Sequence, residues 1–111
     1  MDDEIEIKEV VASKMVDSDL EEIYDYSVDT FGERKAKEYV NHLYHIILSL
    51  DRRYLMYPEC RQLPTKGKIY RRIIFESHMI IYRIAERVEV LRVFHSASSN
   101  RKIKSARTVK I

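Results

Sequence analysis

The 111-residue chain has one cysteine, two glycines, two prolines and no tryptophan. A lone Cys60 supports neither an internal disulfide nor a cysteine-rich zinc site, which points to a reducing cytosol. So little glycine and proline, beside 45% hydrophobic and 34% charged residues, excludes collagen-like and disordered chains. No stretch approaches the ~18 uncharged apolar residues of a membrane span, and the acidic start MDDEIEIKEV lacks an apolar leader core. Neither secretion nor membrane insertion is expected, and the size suits a single domain over residues 1–111.

Charge is present in both signs but unevenly placed. Residues 1–50 carry 13 Asp/Glu against 5 Lys/Arg, a net −8, while residues 51–111 carry 5 against 15, a net +10. A basic half of this kind can serve nucleic acid or an acidic protein segment, since both gain from Coulomb attraction and counterion release.

Residues 5–11 alternate apolar with charged and predict a first strand with Ile5 and Ile7 on one side. Ser13 is a candidate N-cap, with Ser18 its rival. Val16, Leu20, Ile23 and Ser27 then form one stripe ending near Phe31, where Gly32 stops the helix. From Glu33, Ala36, Val40, Leu43, Ile47, Leu50 and Tyr54 hold one face at spacings of three and four, predicting a second helix that ends near Tyr57 because Pro58 follows. Two helices joined at Gly32 make an antiparallel hairpin. Residues 58–67 hold both prolines and predict a loop.

After Gly67 the period becomes two. Residues 68–75, 79–84 and 88–94 read as three strands of an antiparallel meander, with short turns at Glu76-Ser77-His78 and Ala85-Glu86-Arg87. Ile80, Tyr82 and Ile84 suit a face against the helices. Arg72, Arg83 and Arg92 suggest that the other face stays at least partly wet. Residues 96–111 carry five Lys/Arg and no carboxylate, and read as a basic tail or short helix. The fold class is therefore α+β, a helical hairpin packed on a small antiparallel sheet, with the first strand joining that sheet.

This order resembles the RelE/ParE toxin superfamily. The likeness is carried by Asp19-Leu20-Glu21-Glu22-Ile23-Tyr24-Asp25-Tyr26-Ser27, Phe31-Gly32 with Ala36 and Tyr39, Tyr57-Pro58, Arg71-Arg72, Ile80-Ile81-Tyr82-Arg83 and Val90-Leu91-Arg92-Val93-Phe94-His95. It implies the toxin of a type II toxin-antitoxin module, silenced by a cognate antitoxin. One branch poisons DNA gyrase; the other cuts messenger RNA on the ribosome. In the nuclease branch a catalytic arginine opens the middle strand of the meander, a place held here by Met79, whose thioether has no charge for a phosphate. Ser96-Ala97-Ser98-Ser99 also lack the basic and tyrosine groups of nuclease members. The resemblance therefore favours gyrase poisoning over ribosome-dependent cleavage.

Arg71, Arg72, Arg83, Arg92 and His95 are the candidate binding residues, because arginine presents a planar fork to phosphate and carboxylate alike. Arg71 and Arg72 point to opposite faces, so one of the two pairs locally. Only under the nuclease reading would His95, Arg83 and Arg92 be catalytic, His95 as general base. His42 and His45 are three apart on a helix but lack a third ligand, and His78 reads as a turn residue, so no metal or other cofactor is expected. The eight tyrosines read mainly as half-buried core with wet hydroxyls.

Overall fold

A computed structural model describes residues 5–111. Its elements in chain order are strand β1 (Val10–Ala12), helices α1 (Lys14–Phe31), α2 (Glu33–Leu48) and α3 (Leu50–Arg53), strands β2 (Tyr70–Phe75), β3 (His78–Ile84) and β4 (Val88–His95), helix α4 (Asn100–Lys104) and a 3-10 turn (Ser105–Thr108). The sheet order is β1-β4-β3-β2. The meander pairs antiparallel as its alternation requires, and β1 adds in parallel, Val10 facing Val88 and Ala12 facing Val90.

The first strand is shorter than the alternation over residues 5–11 suggests. Residues 5–9 are not strand: the Lys8 amide donates to the Asp51 carbonyl at 3.0 Å, and the Tyr54 hydroxyl donates to the Glu6 carbonyl at 2.6 Å. Up to Lys8 the arm is held along α3, and only the Glu9 carbonyl, accepting the Val88 amide at 2.8 Å, reaches the sheet, so Ile5 and Ile7 remain exposed. Ser13 does occupy the N-cap of α1, but its hydroxyl donates to the Leu91 carbonyl at 2.7 Å and ties the helix start to β4.

The hairpin follows its two stripes. Val16, Leu20, Ile23 and Ser27 of α1 are buried, as are Ala36, Leu43 and Ile47 of α2. Gly32 alone joins the helices at φ +90°, a region an L side chain rarely adopts, so the tight connection depends on glycine. Helix α2 ends at Leu48 and not near Tyr57. Ser49 donates its hydroxyl to the Ile46 carbonyl at 2.6 Å, a local bond that competes with helix continuation, and the chain resumes as the single turn α3. The stripe survives the break: Leu50 and Tyr54 are buried, and Tyr82 donates to the Tyr54 carbonyl at 2.6 Å.

One face of the sheet, through Ile73, Ile80, Tyr82, Val88, Val90 and Val93, packs on the hairpin. The opposite face does not stay wet. Met79, Ile81, Leu91 and Phe94 on it are buried under Cys60 and Leu63 of the loop and under Ile103, Ala106 and Val109 of the C-terminal segment. The segment is a docked α4 and 3-10 turn whose apolar residues recur every third position, a stripe that its many cations disguise. Ser99 caps α4 by accepting from the Lys102 amide at 3.2 Å, and Gln62 donates to the Asn100 side chain at 3.0 Å, joining loop and tail.

Candidate functional site

A cleft of about 690 Å³ opens between α1, the first turns of α2 and the end of the meander where β3 begins and β4 finishes. Its walls include Tyr26, Phe31, Lys35, Tyr39, His78, Arg92, His95 and Lys102. Three local features position these groups.

The first is a bulge in β4. Ile81 faces Arg92 while Tyr82 faces Val90, so Leu91 is an extra residue and the strand is re-aimed at Arg92. The Arg92 guanidinium reaches α1, where its Nε and Nη2 each donate to an Asp19 carboxylate oxygen at 2.8 Å. Asp19 also accepts the Val93 amide at 2.9 Å, so one carboxylate locks both the side chain and the backbone of the bulge. The hydrogen bonds that Arg92 donates to Asp19 raise the Arg92 pKa against the opposing effect of burial. Phe94 lies 4.5 Å from the guanidinium carbon, measured to its ring centroid.

The second is the turn between β2 and β3. Phe75 faces His78, leaving Glu76 and Ser77 as a two-residue connection in which Glu76 adopts φ +50°. His78 therefore opens β3 and is not the turn residue its sequence context suggests. It stands directly opposite His95 on β4, with ring centroids 5.6 Å apart.

The third is Tyr39 on α2, whose hydroxyl lies 2.6 Å from Nδ1 of His78 and whose ring packs on Phe75 at 5.5 Å. This bond joins hairpin to sheet at the cleft floor. Burial raises the Tyr39 pKa; burial, followed by the nearby His95, lowers that of His78. His95 is exposed, and its Nδ1 accepts the Ala97 amide at 3.1 Å.

The lowered His78 pKa has a pH signature. Below its ordinary value near 6.5 the unfolded chain takes up a proton that the folded state resists, so the unfolded state binds more protons there. Stability is expected to be complete above that value, to fall as pH drops through the interval down to the folded pKa, and to level off below it. Urea titrations of the native protein and His78→Gln between neutral and mildly acid pH check this. The variant should lose most of the slope, and equal slopes would remove His78 as its source.

The remaining candidate arginines are not gathered here. Arg71 donates to the Lys68 and Tyr57 carbonyls, each at 2.8 Å, and so ties the loop to β2. Arg83 donates to Glu89 at 2.7 Å and lies over the Tyr70 ring at 5.8 Å. Arg72 has a buried Nε without a hydrogen-bond partner, on the face of the sheet opposite Arg71. Of the five candidates the cleft contains Arg92 and His95. Met79 is buried beneath the C-terminal segment and does not line the cleft. His42 packs on Phe75 at 5.0 Å, and no group of three metal-capable side chains occurs among the described residues.

Asp19 and His78, both at the cleft, are not marked as site residues by the sequence. Asp19 lies three positions after Val16 and one before Leu20, so a carboxylate flanks a buried stripe, which is a usable sign of a long-range partner. His78 became visible only once the hairpin register placed it across from His95.

A family described as the ParE toxin of the type II toxin-antitoxin system, parDE, matches residues 10–99. Toxin ParE1 of Caulobacter vibrioides is 30% identical over 90 residues, which is 80% of this chain and 90% of that protein. A solved chain of the chromosomal ParDE TA system from P. aeruginosa superposes with a TM-score of 0.68 over 82% of this chain and 98% of that one. At 19% identity it shows a shared fold. With a match that runs from β1 past the end of β4 and so takes in the whole sheet, the hairpin and every cleft residue named above except Lys102, this chain belongs to the ParE toxin family of type II toxin-antitoxin systems.

Proposed function

We propose that this toxin arrests growth by poisoning DNA gyrase and that a cognate antitoxin neutralises it. The observation that supports the gyrase reading is the state of the arginines: Lys35 and Lys102 stand at the cleft, but its arginine, Arg92, is committed to Asp19. Cutting a phosphodiester requires a cation free to stabilise the charge that builds on the phosphate. Met79, where the nuclease branch carries its arginine, is sealed in the core, and Arg92 on the cleft wall is already paired bidentately with Asp19. A toxin that acts by binding needs a shaped surface and none of that chemistry.

Ribosome-dependent cleavage of messenger RNA is the second reading. It is favoured by the His78–His95 pair, two imidazoles 5.6 Å apart in one cleft with Lys35 and Lys102.

Purified toxin is expected to inhibit gyrase supercoiling or to trap cleaved DNA, and to leave messenger RNA intact on translating ribosomes. Loss of a phosphate-stabilising group costs ~10² or more in rate, so the two assays separate cleanly. Codon-phased cleavage abolished by His95→Ala, with gyrase untouched, would overturn the gyrase reading. The antitoxin half rests on the family and on the basic second half of the chain. Its association with an acidic antitoxin tail should slow as salt is raised.

A further inference from the structure

The C-terminal segment buries one side and charges the other. Ile103, Ala106 and Val109 are sunk against the sheet, while Arg101, Lys104, Arg107 and Lys110 are all exposed. Lys102 leans back over the Phe94 ring at 5.4 Å and lines the cleft. Arg61 is exposed in the loop that Gln62 joins to Asn100, adding a cation beside the start of α4. Residues 96–111 contain no Asp or Glu.

The docked stripe holds these cations on ordered backbone, so presenting them together costs little further conformational entropy. Between them there is no exposed large apolar side chain before Ile111. Of the exposed apolar residues, Met15 and Ile111 line a groove with Lys110 at one end of the ridge, whereas Tyr26, Phe31, Leu48 and Met56 belong to other parts of the molecule. Tight protein docking depends on buried apolar and aromatic anchors, and this ridge offers none between its cations. Single-stranded nucleic acid is gripped by aromatic stacking, and residues 96–111 include no aromatic side chain. A duplex backbone, by contrast, is bound by charge alone.

We infer that the ridge formed by Arg101, Lys104, Arg107 and Lys110 binds the phosphate backbone of duplex DNA without reading its bases. The inference does not rest on the gyrase reading, because it concerns toxin and DNA alone.

The test is fluorescence anisotropy of the full chain with labelled duplexes of two unrelated sequences, titrated from 50 to 200 mM salt. Four phosphate contacts predict an affinity loss of roughly 150-fold across that range, from the slope of about −0.9 per contact. The triple variant Lys104→Gln/Arg107→Gln/Lys110→Gln should lose only roughly 3-fold, because one contact remains. The charge-retaining Lys104→Arg/Lys110→Arg should behave as the native chain, and both variants should keep the native melting temperature since the altered side chains are exposed. Absence of binding at 50 mM salt, an unchanged slope in the triple variant, or tighter binding to single-stranded RNA would each overturn the inference. It is likewise overturned if the triple variant keeps its DNA affinity and loses affinity for an acidic peptide, which would make the ridge a protein-docking surface. None of these outcomes bears on whether gyrase is inhibited.

Discussion

Asp19→Ala is expected to lower the unfolding free energy by about 3 kcal/mol, near the lower end of the cost of removing one partner from a buried ion pair. Asp19 and Arg92 retain only 10% and 16% side-chain exposure, so the guanidinium left behind cannot recover full hydration. The Val93 amide loses its acceptor at the same time. For a chain of this length the loss corresponds to roughly 13 °C in melting temperature. Adding Arg92→Met to Asp19→Ala removes the stranded charge, so the double variant should be less destabilised than the two singles added together. Thermal and urea unfolding of the four proteins measure this. A loss below about 1 kcal/mol for Asp19→Ala would mean that the pair behaves as a surface contact. The bulge would also relax, and because Arg92 and His95 share the last residues of β4, the cleft should lose its shape before the protein unfolds.

Ending the chain at Ser96 should have a still larger effect. Ile103, Ala106 and Val109 together contribute roughly 5 kcal/mol of apolar burial. Their removal also uncovers Met79, Leu91 and Phe94 on the sheet face beneath. Against the ~5–15 kcal/mol typical of a domain, the truncated chain should be marginal and self-associating. Size-exclusion chromatography and urea unfolding would show this, and a monomer of native stability would refute the docking. Ile103→Ala provides a milder test, with an expected loss of about 2–4 kcal/mol. The contrast with the exposed cations is direct. Neutralising Lys104, Arg107 and Lys110 should leave stability within about 0.5 kcal/mol, since the fold depends on the apolar side of the segment.

Much of the architecture could be read from local pattern. The stripe from Val16 to Ser27, the longer one from Ala36 to Tyr54, the helix stop at Gly32 and the three meander strands all follow from spacing, because within one element periodicity decides which side chains share a face. The same logic misplaced what depends on competition between partners. Residues 5–9 alternate like a strand, yet Asp51 and Tyr54 capture the backbone of Lys8 and Glu6; Ser49 sits inside an unbroken stripe, yet its hydroxyl ends α2.

The amino-acid order alone establishes the class of the molecule: an α+β chain with a hairpin and a meander, a charge division between its halves and the run of residues that marks the ParE toxin family. Folding in three dimensions was needed to pair β1 in parallel with β4, to lay the C-terminal segment over the second sheet face, to give Arg92 to Asp19 and to bring His78 to His95 and Tyr39. Periodicity specifies the faces of each element but not which element covers them. The Asp19–Arg92 contact joins residues 73 positions apart, and its geometry exists only after a one-residue bulge has turned the strand toward α1.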